Sequence, residues 1–308
     1  MYLAAPRNLQ SWSKDNLRLS TSSEKVAQYT DQLFHQLFGL YLDPELGGPT
    51  GTIEKILSLD EYNPIAHSIK AKFIGDSSSI LPQPVVDSAV NDLNLVLCGN
   101  FSCTTTLHVK AAKAYVLQDY TLATNTWRDI LIQHPKDILS QMNLFVNLLH
   151  SGRPCEMYDL TFAGSHALNN SPYQALADCR QAFALEQMSQ LAAAEKLCYK
   201  SYTSLPWNPW TGHTMAHIYE SWAKPEKGIA FYKDAPPHDL SSANSNIEFW
   251  GQNFYLSCHQ FWHYSLFCIE AGQIEEALRV YDDEVITRAK LVNDDRFMLS
   301  DAIGFLLR

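Results

Sequence analysis

ATNTWRDILIQHP, residues 123–135, and AEKLCYKSYTSLP, residues 194–206, decide the fold class between them. In both, an alanine (Ala123, Ala194) is followed four residues on by a larger side chain (Trp127, Cys198) and twelve residues on by a proline (Pro135, Pro206). GQIEEALRVY, residues 272–281, is a third partial copy with Ile274, Ala277 and Tyr281 in phase, although Ala289 stands where the proline belongs. A looser copy runs from Gly152 to Pro172, with Leu160 in the small-residue position. A small residue at such a position lets two antiparallel helices approach closely, and the proline is expected to open the next helix after a short turn. This pattern predicts an all-α chain, a TPR-like stack of antiparallel helical hairpins forming an irregular α-solenoid over residues 1–308 as one helical-repeat domain. The clearest hairpins are expected near 107–136, 140–172, 178–206 and 259–289.

Outside the repeats the same periodicity holds. Thr21 and Glu24 have capping-box spacing, and Val26, Tyr29, Leu33, Leu37 and Leu40 then lie on one stripe, which Pro44 and Gly47-Gly48 end. GGPTG, residues 47–51, lacks the Lys-Ser/Thr of a phosphate-binding loop and reads as a turn. Between Phe249 and Ile269 no Asp, Glu, Lys or Arg occurs in 21 residues, but the Gln, Asn, Ser and His scattered there point to a buried core helix and not to a membrane span.

Composition excludes several classes. The 308 residues are 46% hydrophobic, enough for a large core, and the formal net charge is −10 with no basic run to follow a phosphate backbone. Nucleic acid and membrane are therefore not expected as partners. The N-terminus has no apolar run of signal-peptide length, so the cytoplasm is the expected compartment. Seven cysteines, an odd number without a C-x-x-C pair, read as reduced thiols. There is no G-x-S-x-G elbow and no G-x-G-x-x-G after a strand.

Two stretches carry candidate chemistry. In HTMAHIYE, residues 213–220, His213, His217 and Glu220 fall within about 60° on one helical face. In CHQFWHYSLFCIE, residues 258–270, His259, His263 and Glu270 share a face among aromatic residues including Trp262. Histidines at i and i+4 can chelate one ion, with a carboxylate one turn on as third ligand, and such a donor set favours zinc, copper or iron over magnesium or calcium. Neither stretch is H-E-x-x-H, and neither has the repeated Glu-x-x-His of di-iron bundles. The competing reading makes these histidines hydrogen-bonded core residues, or the wall of a pocket that binds without reacting. His67 and His108, alone in their helical segments, are secondary candidates.

LQSWSKDNLRLSTSSE near the start, LGGPTG, LHVKAAKA, the Trp127–Pro135 hairpin, HTMAHIYE, HQFWHYSLFCIEAGQIEEALRVYD and the final DAIGFLLR together resemble the tetratricopeptide repeat protein 38 family, in the same order over nearly the whole chain. The resemblance implies an all-helical TPR-like fold and no established biochemical activity. It also implies a C-terminally short member, because relatives carry further helices beyond Arg296 and Phe297. The apolar face of the last hairpin, with Leu299, Ile303, Leu306 and Leu307, would then be exposed.

The function expected from the sequence is binding of a peptide or a small molecule on a concave aromatic surface, with Trp207, Trp210, Trp222, Trp250 and Trp262 concentrated there and no cofactor required. The alternative is a metal-dependent enzyme, with zinc or iron between the helices carrying His213, His217 and Glu220 and those carrying His259 and His263. Ligation requires the two histidine faces to converge within a few Å.

Overall fold

The computed structural model describes residues 6–17, 19–77, 81–234, 245–251, 255–291 and 296–307. Where the periodicity predicts one continuous repeat domain, the chain divides into two compact units. The first comprises Met1–Phe38 and Asp43–Pro172, the second Gly39–Leu42 and Tyr173–Arg308. Among the described residues every regular element is a helix.

The first unit contains α1 (Leu9–Lys14), α2 (Glu24–Gly39), α3 (Gly48–Leu59), α4 (Pro64–Asp76), α5 (Gln83–Leu97), α6 (Cys103–Val116), α7 (Tyr120–Gln133), α8 (Ile138–His150) and α9 (Pro154–Ala167). Helix α6 packs against α4 as well as against its chain neighbours α5 and α7, around a core that includes Ala71, Leu93, Val96, Val109, Ala112 and Val116. Small residues set the spacing: a Cβ on Gly75 would stand 2.7 Å from the Tyr115 ring.

Two local expectations are corrected here. The α2 cap is Ser23, whose Oγ accepts from Val26 N at 3.3 Å, while Thr21 Oγ1 accepts from Ser23 N one step earlier. GGPTG is not a turn but the start of α3. Gly47 takes the left-handed conformation (φ 77°), Pro49 occupies the first helical turn where its missing N–H costs nothing, and Thr52 Oγ1 donates to Gly48 O.

The second unit contains α10 (Gln174–Gln187), α11 (Leu191–Ser204), α12 (Pro209–Ser221), α13 (Pro225–Lys233), α14 (Asn246–Trp250), α15 (Ser257–Glu270), α16 (Ile274–Val280), α17 (Ile286–Leu291) and α18 (Arg296–Leu306). A π-helical turn, Tyr281–Val285, joins α16 to α17. The alanines of the repeat, Ala123, Ala194 and Ala277, are buried as their role requires. Pro135 and Pro206 do not open the following helices, as predicted, but lie in the preceding turns. The helices begin three residues later, capped by Asp137, which accepts from Ser140 N at 2.7 Å, and by Asn208, which accepts from Trp210 N at 3.1 Å. The proline acts as a stop by keeping the residue before it out of the helical region. Where the third copy has Ala289 in its place, the chain runs on helically through the π turn to Leu291.

Trp207, Trp210 and Trp250 are core residues of the second unit, and Trp222 and Trp262 are half-buried. The open aromatic wall expected from the sequence is therefore corrected to an interior: Trp250 packs against Tyr202, Phe231 and Tyr232, and its Nε1 donates to Pro206 O. On α18, Leu299, Ile303 and Leu306 are exposed, as is Leu307 just after it.

Candidate metal centre

Three helices of the second unit lie side by side and run in the same direction. Cys179, Phe183 and Glu186 of α10 meet Thr211, His213 and His217 of α12 in ascending order. His213 and His217 in turn meet His259 and His263 of α15. Residues four apart sit one above the other on a helix surface, so once the packing turns the two faces toward each other both histidines of one pair meet both of the other. The close approach of α12 and α15 depends on Gly212, where a Cβ would stand 2.5 Å from the Trp250 ring and 3.0 Å from Gln260 Nε2. The Gln260 amide clamps the same junction, donating to Pro209 O at 2.6 Å and accepting from Tyr232 OH.

The result is a cluster of His213, His217, His259 and His263 whose ligating atoms all lie within 4.8 Å of one another. Nε2 of His213 and Nε2 of His217 share a hydrogen bond of 3.0 Å, so one of the two nitrogens carries the proton and the other accepts it. Behind the cluster, carboxylates hold the outer nitrogens. Asp301 Oδ2 of α18 accepts from His259 Nδ1 at 2.9 Å, and Glu220 Oε1 accepts from His263 Nδ1 at 2.8 Å. Glu186 Oε2 lies 3.7 Å from His217 Nδ1. An ionised carboxylate can only accept, so the Nδ1 atoms of His259 and His263 carry the proton and their Nε2 atoms keep the lone pair. His213 Nδ1 is buried with no hydrogen-bond partner among the described residues, and its ring is held by stacking on Phe183 at 5.1 Å and by Trp210 edge-on. Trp262 stacks on His259 at 5.2 Å.

The electrostatics suit cation capture. Burial, and after it the imidazoles of His217, His259 and His263, hold His213 well below the ordinary histidine range. Burial brings His217 down to about 4, with His259 acting in the same direction and Glu220 against it. Both rings are therefore neutral at pH 7, the form that binds a metal. Burial pushes the Glu186 carboxyl up, opposed by the Gln187 amide and assisted by Glu220. Four inward imidazoles backed by carboxylates are the donor set of a first-row transition-metal site, in which the outer partners fix the ring orientation and raise ligand basicity.

The sequence reading placed the four histidines in the candidate set. It took Glu220 for a third ligand, whereas the structure turns Glu220 onto the outer nitrogen of His263. Glu270, at the exposed end of α15, is outside the cluster. His67 and His108 belong to the first unit. His67 Nε2 bonds Glu61 O at 2.9 Å, and buried His108 Nε2 bonds Asp137 Oδ2 at 3.1 Å. Glu186 and Asp301 went unrecognised, since neither is near its histidine in the chain and no local pattern marks them. Among the recesses of the first unit, one of about 720 Å³ between α4, α6, α7 and α8 is lined by Asp76, Tyr115, Tyr120, Asn125, Arg128 and Arg153, and none of the predicted site residues faces it.

No family model matches the chain. Among solved structures, it is similar to a tetratricopeptide repeat protein from Parabacteroides merdae ATCC 43184, with a TM-score of 0.52 and 11% identity over 93% of this chain and 100% of that one. The likeness makes the fold an all-α TPR-like helical repeat. Among the described residues no helix is long and apolar enough to cross a membrane.

Proposed function

We propose that this protein is a helical-repeat binding protein whose second unit holds a first-row transition-metal ion on His213, His217, His259 and His263. One observation carries the reading: four imidazole donors from two helices converge within 4.8 Å, with carboxylates hydrogen-bonded to the outer nitrogens of His259 and His263. Hydrogen-bonded core histidines do not require four imidazoles from two helices to converge on one another. The donor set supports zinc, iron, copper or nickel and disfavours magnesium and calcium.

The TPR-like fold supports a protein-interaction role alongside the metal, with a peptide or small molecule as partner. Membership of the tetratricopeptide repeat protein 38 family is part of this proposal and rests on HTMAHIYE and HQFWHYSLFCIE. A cytoplasmic location is part of this proposal and rests on the odd number of cysteines, seven, without a C-x-x-C pair.

The test is elemental analysis of protein purified without a metal-binding tag, with His213→Ala/His217→Ala alongside. Near-stoichiometric metal that is lost in a still-folded double variant is the expected result. A wild-type protein that stays metal-free after supplementation overturns the proposal.

A further inference from the structure

We infer that the recess of the first unit is a second binding site, and that it takes a small organic anion, a carboxylate or phosphate on a polar frame of about monosaccharide size; this is independent of the metal centre. Its volume of about 720 Å³ is that of a small-molecule site. One wall is α7, where Thr121, Asn125 and Arg128 recur at intervals of four and three residues and so share a face. The facing wall is the C-terminal half of α8, tied to the first where Asn147 Nδ2 donates to Thr124 Oγ1 at 2.9 Å. Tyr115 and Asp76 close one end, with exposed Tyr120 edge-on to the Tyr115 ring at 5.1 Å. Arg128 lies about 12 Å of helix rise beyond Tyr120 on α7.

Charge decides the class of ligand. Histidine apart, the ionisable acids and bases lining the recess are Asp76, Arg128 and Arg153. Asp76 is already neutralised: both its oxygens accept from Lys72 Nζ at 2.8 Å, and Oδ1 accepts from Tyr115 OH as well. The two arginines converge on one carboxylate outside the lining, Glu156, with Arg128 Nη2 donating to Oε2 and Arg153 Nε to Oε1. Two guanidinium charges against one carboxylate leave one positive charge over, in a chain whose formal net charge is −10. Among the described residues Nε and Nη1 of Arg128 and Nη1 of Arg153 have no acceptor, and the two side chains are 34% and 41% exposed, so donors remain for an incoming oxyanion. Guanidinium groups match carboxylate and phosphate oxygens in geometry as well as charge. The rest of the lining suits a polar frame. Exposed Asn125 can both donate and accept, and Asn147, with Nδ2 engaged, keeps its carbonyl oxygen for a hydroxyl. A bare inorganic ion would use neither.

The experiment is calorimetric titration of the full chain with gluconate and with glycerophosphate, using sorbitol and inorganic phosphate as controls. The expected result is saturable binding of at least one organic anion, weaker binding of inorganic phosphate and none of sorbitol. Arg128→Gln/Arg153→Gln, two changes on half-exposed side chains, should weaken binding by about 10–100-fold in a protein whose thermal melt shows it folded. Asn125→Ala should weaken the organic anion and leave inorganic phosphate unchanged. Prior dialysis of the protein against a chelator should alter nothing; loss of binding would place the anion on a metal ion and overturn the site. Saturable binding of neither organic anion, or equal affinity in the wild type and the folded arginine variant, would also overturn it. Inorganic phosphate bound as tightly as the organic anions would overturn the polar frame.

Discussion

Replacing Asp301, which never enters the ligand set, is the sharpest probe of the centre. Asp301 is buried on α18, and its Oδ2 accepts from His259 Nδ1 at 2.9 Å. Outer partners of this kind contribute about 10–100-fold to metal affinity, or about 1.4–2.7 kcal/mol. Asp301→Asn keeps the size and an acceptor oxygen and removes only the charge, so the loss should sit near tenfold; Asp301→Ala removes both and should approach a hundredfold. The assay is competition for Zn(II) against a chromophoric chelator, with a thermal melt to establish that each variant is folded. The protein supplies its own control. Asp137 makes the same kind of bond to His108 in the first unit, and it also caps α8. Asp137→Asn should cost about 1–3 kcal/mol of stability and leave metal affinity unchanged. A folded Asp301→Ala that binds metal as tightly as the wild type would refute the reasoning, because His259 would then not be a ligand.

Three other outcomes are expected. Gly212→Ala forces a Cβ to within 2.5 Å of the Trp250 ring, and should lower stability by about 1–3 kcal/mol and reduce bound metal together, as read by calorimetry and elemental analysis. Metal at a hundred times its dissociation constant should stabilise the fold by about 2.7 kcal/mol, reversed by a chelator; an unchanged melting temperature would count against the site. Burial above all holds His35, beside Asp31 and Arg7, at about 4. The unfolded chain takes up this proton near pH 6.5 and the folded chain does not, so about 3 kcal/mol of stability should be lost as pH falls from about 6.5 to about 4. His35→Gln should flatten that part of the pH–stability curve measured by denaturant titration.

The parts of this protein legible in the sequence are those set within one helix or one turn. Ala123, Ala194 and Ala277 announced close helix packing because a small side chain has that consequence wherever the helix goes. His213 with His217, and His259 with His263, were legible as pairs because four residues make one turn. The sequence is ambiguous where one local rule meets another: proline stops one helix as readily as it opens the next, as at Pro135 and Pro206, and the glycines of GGPTG serve a helix N-terminus as well as a turn.

What the tertiary structure alone decided was the chemistry of the centre. That α12 and α15 run parallel and close follows from Gly212, Trp250 and Gln260, which come together only on folding. Glu186 is 31 residues before His217 and Asp301 is 42 residues after His259, so no periodicity within either stretch could pair them. The sequence determined that each histidine pair shares one face of its helix, because side-chain direction along a helix is local. Whether those donors met, and which carboxylates stood behind them, depended on the packing of helices distant in the chain, where spacing along the sequence carries no information.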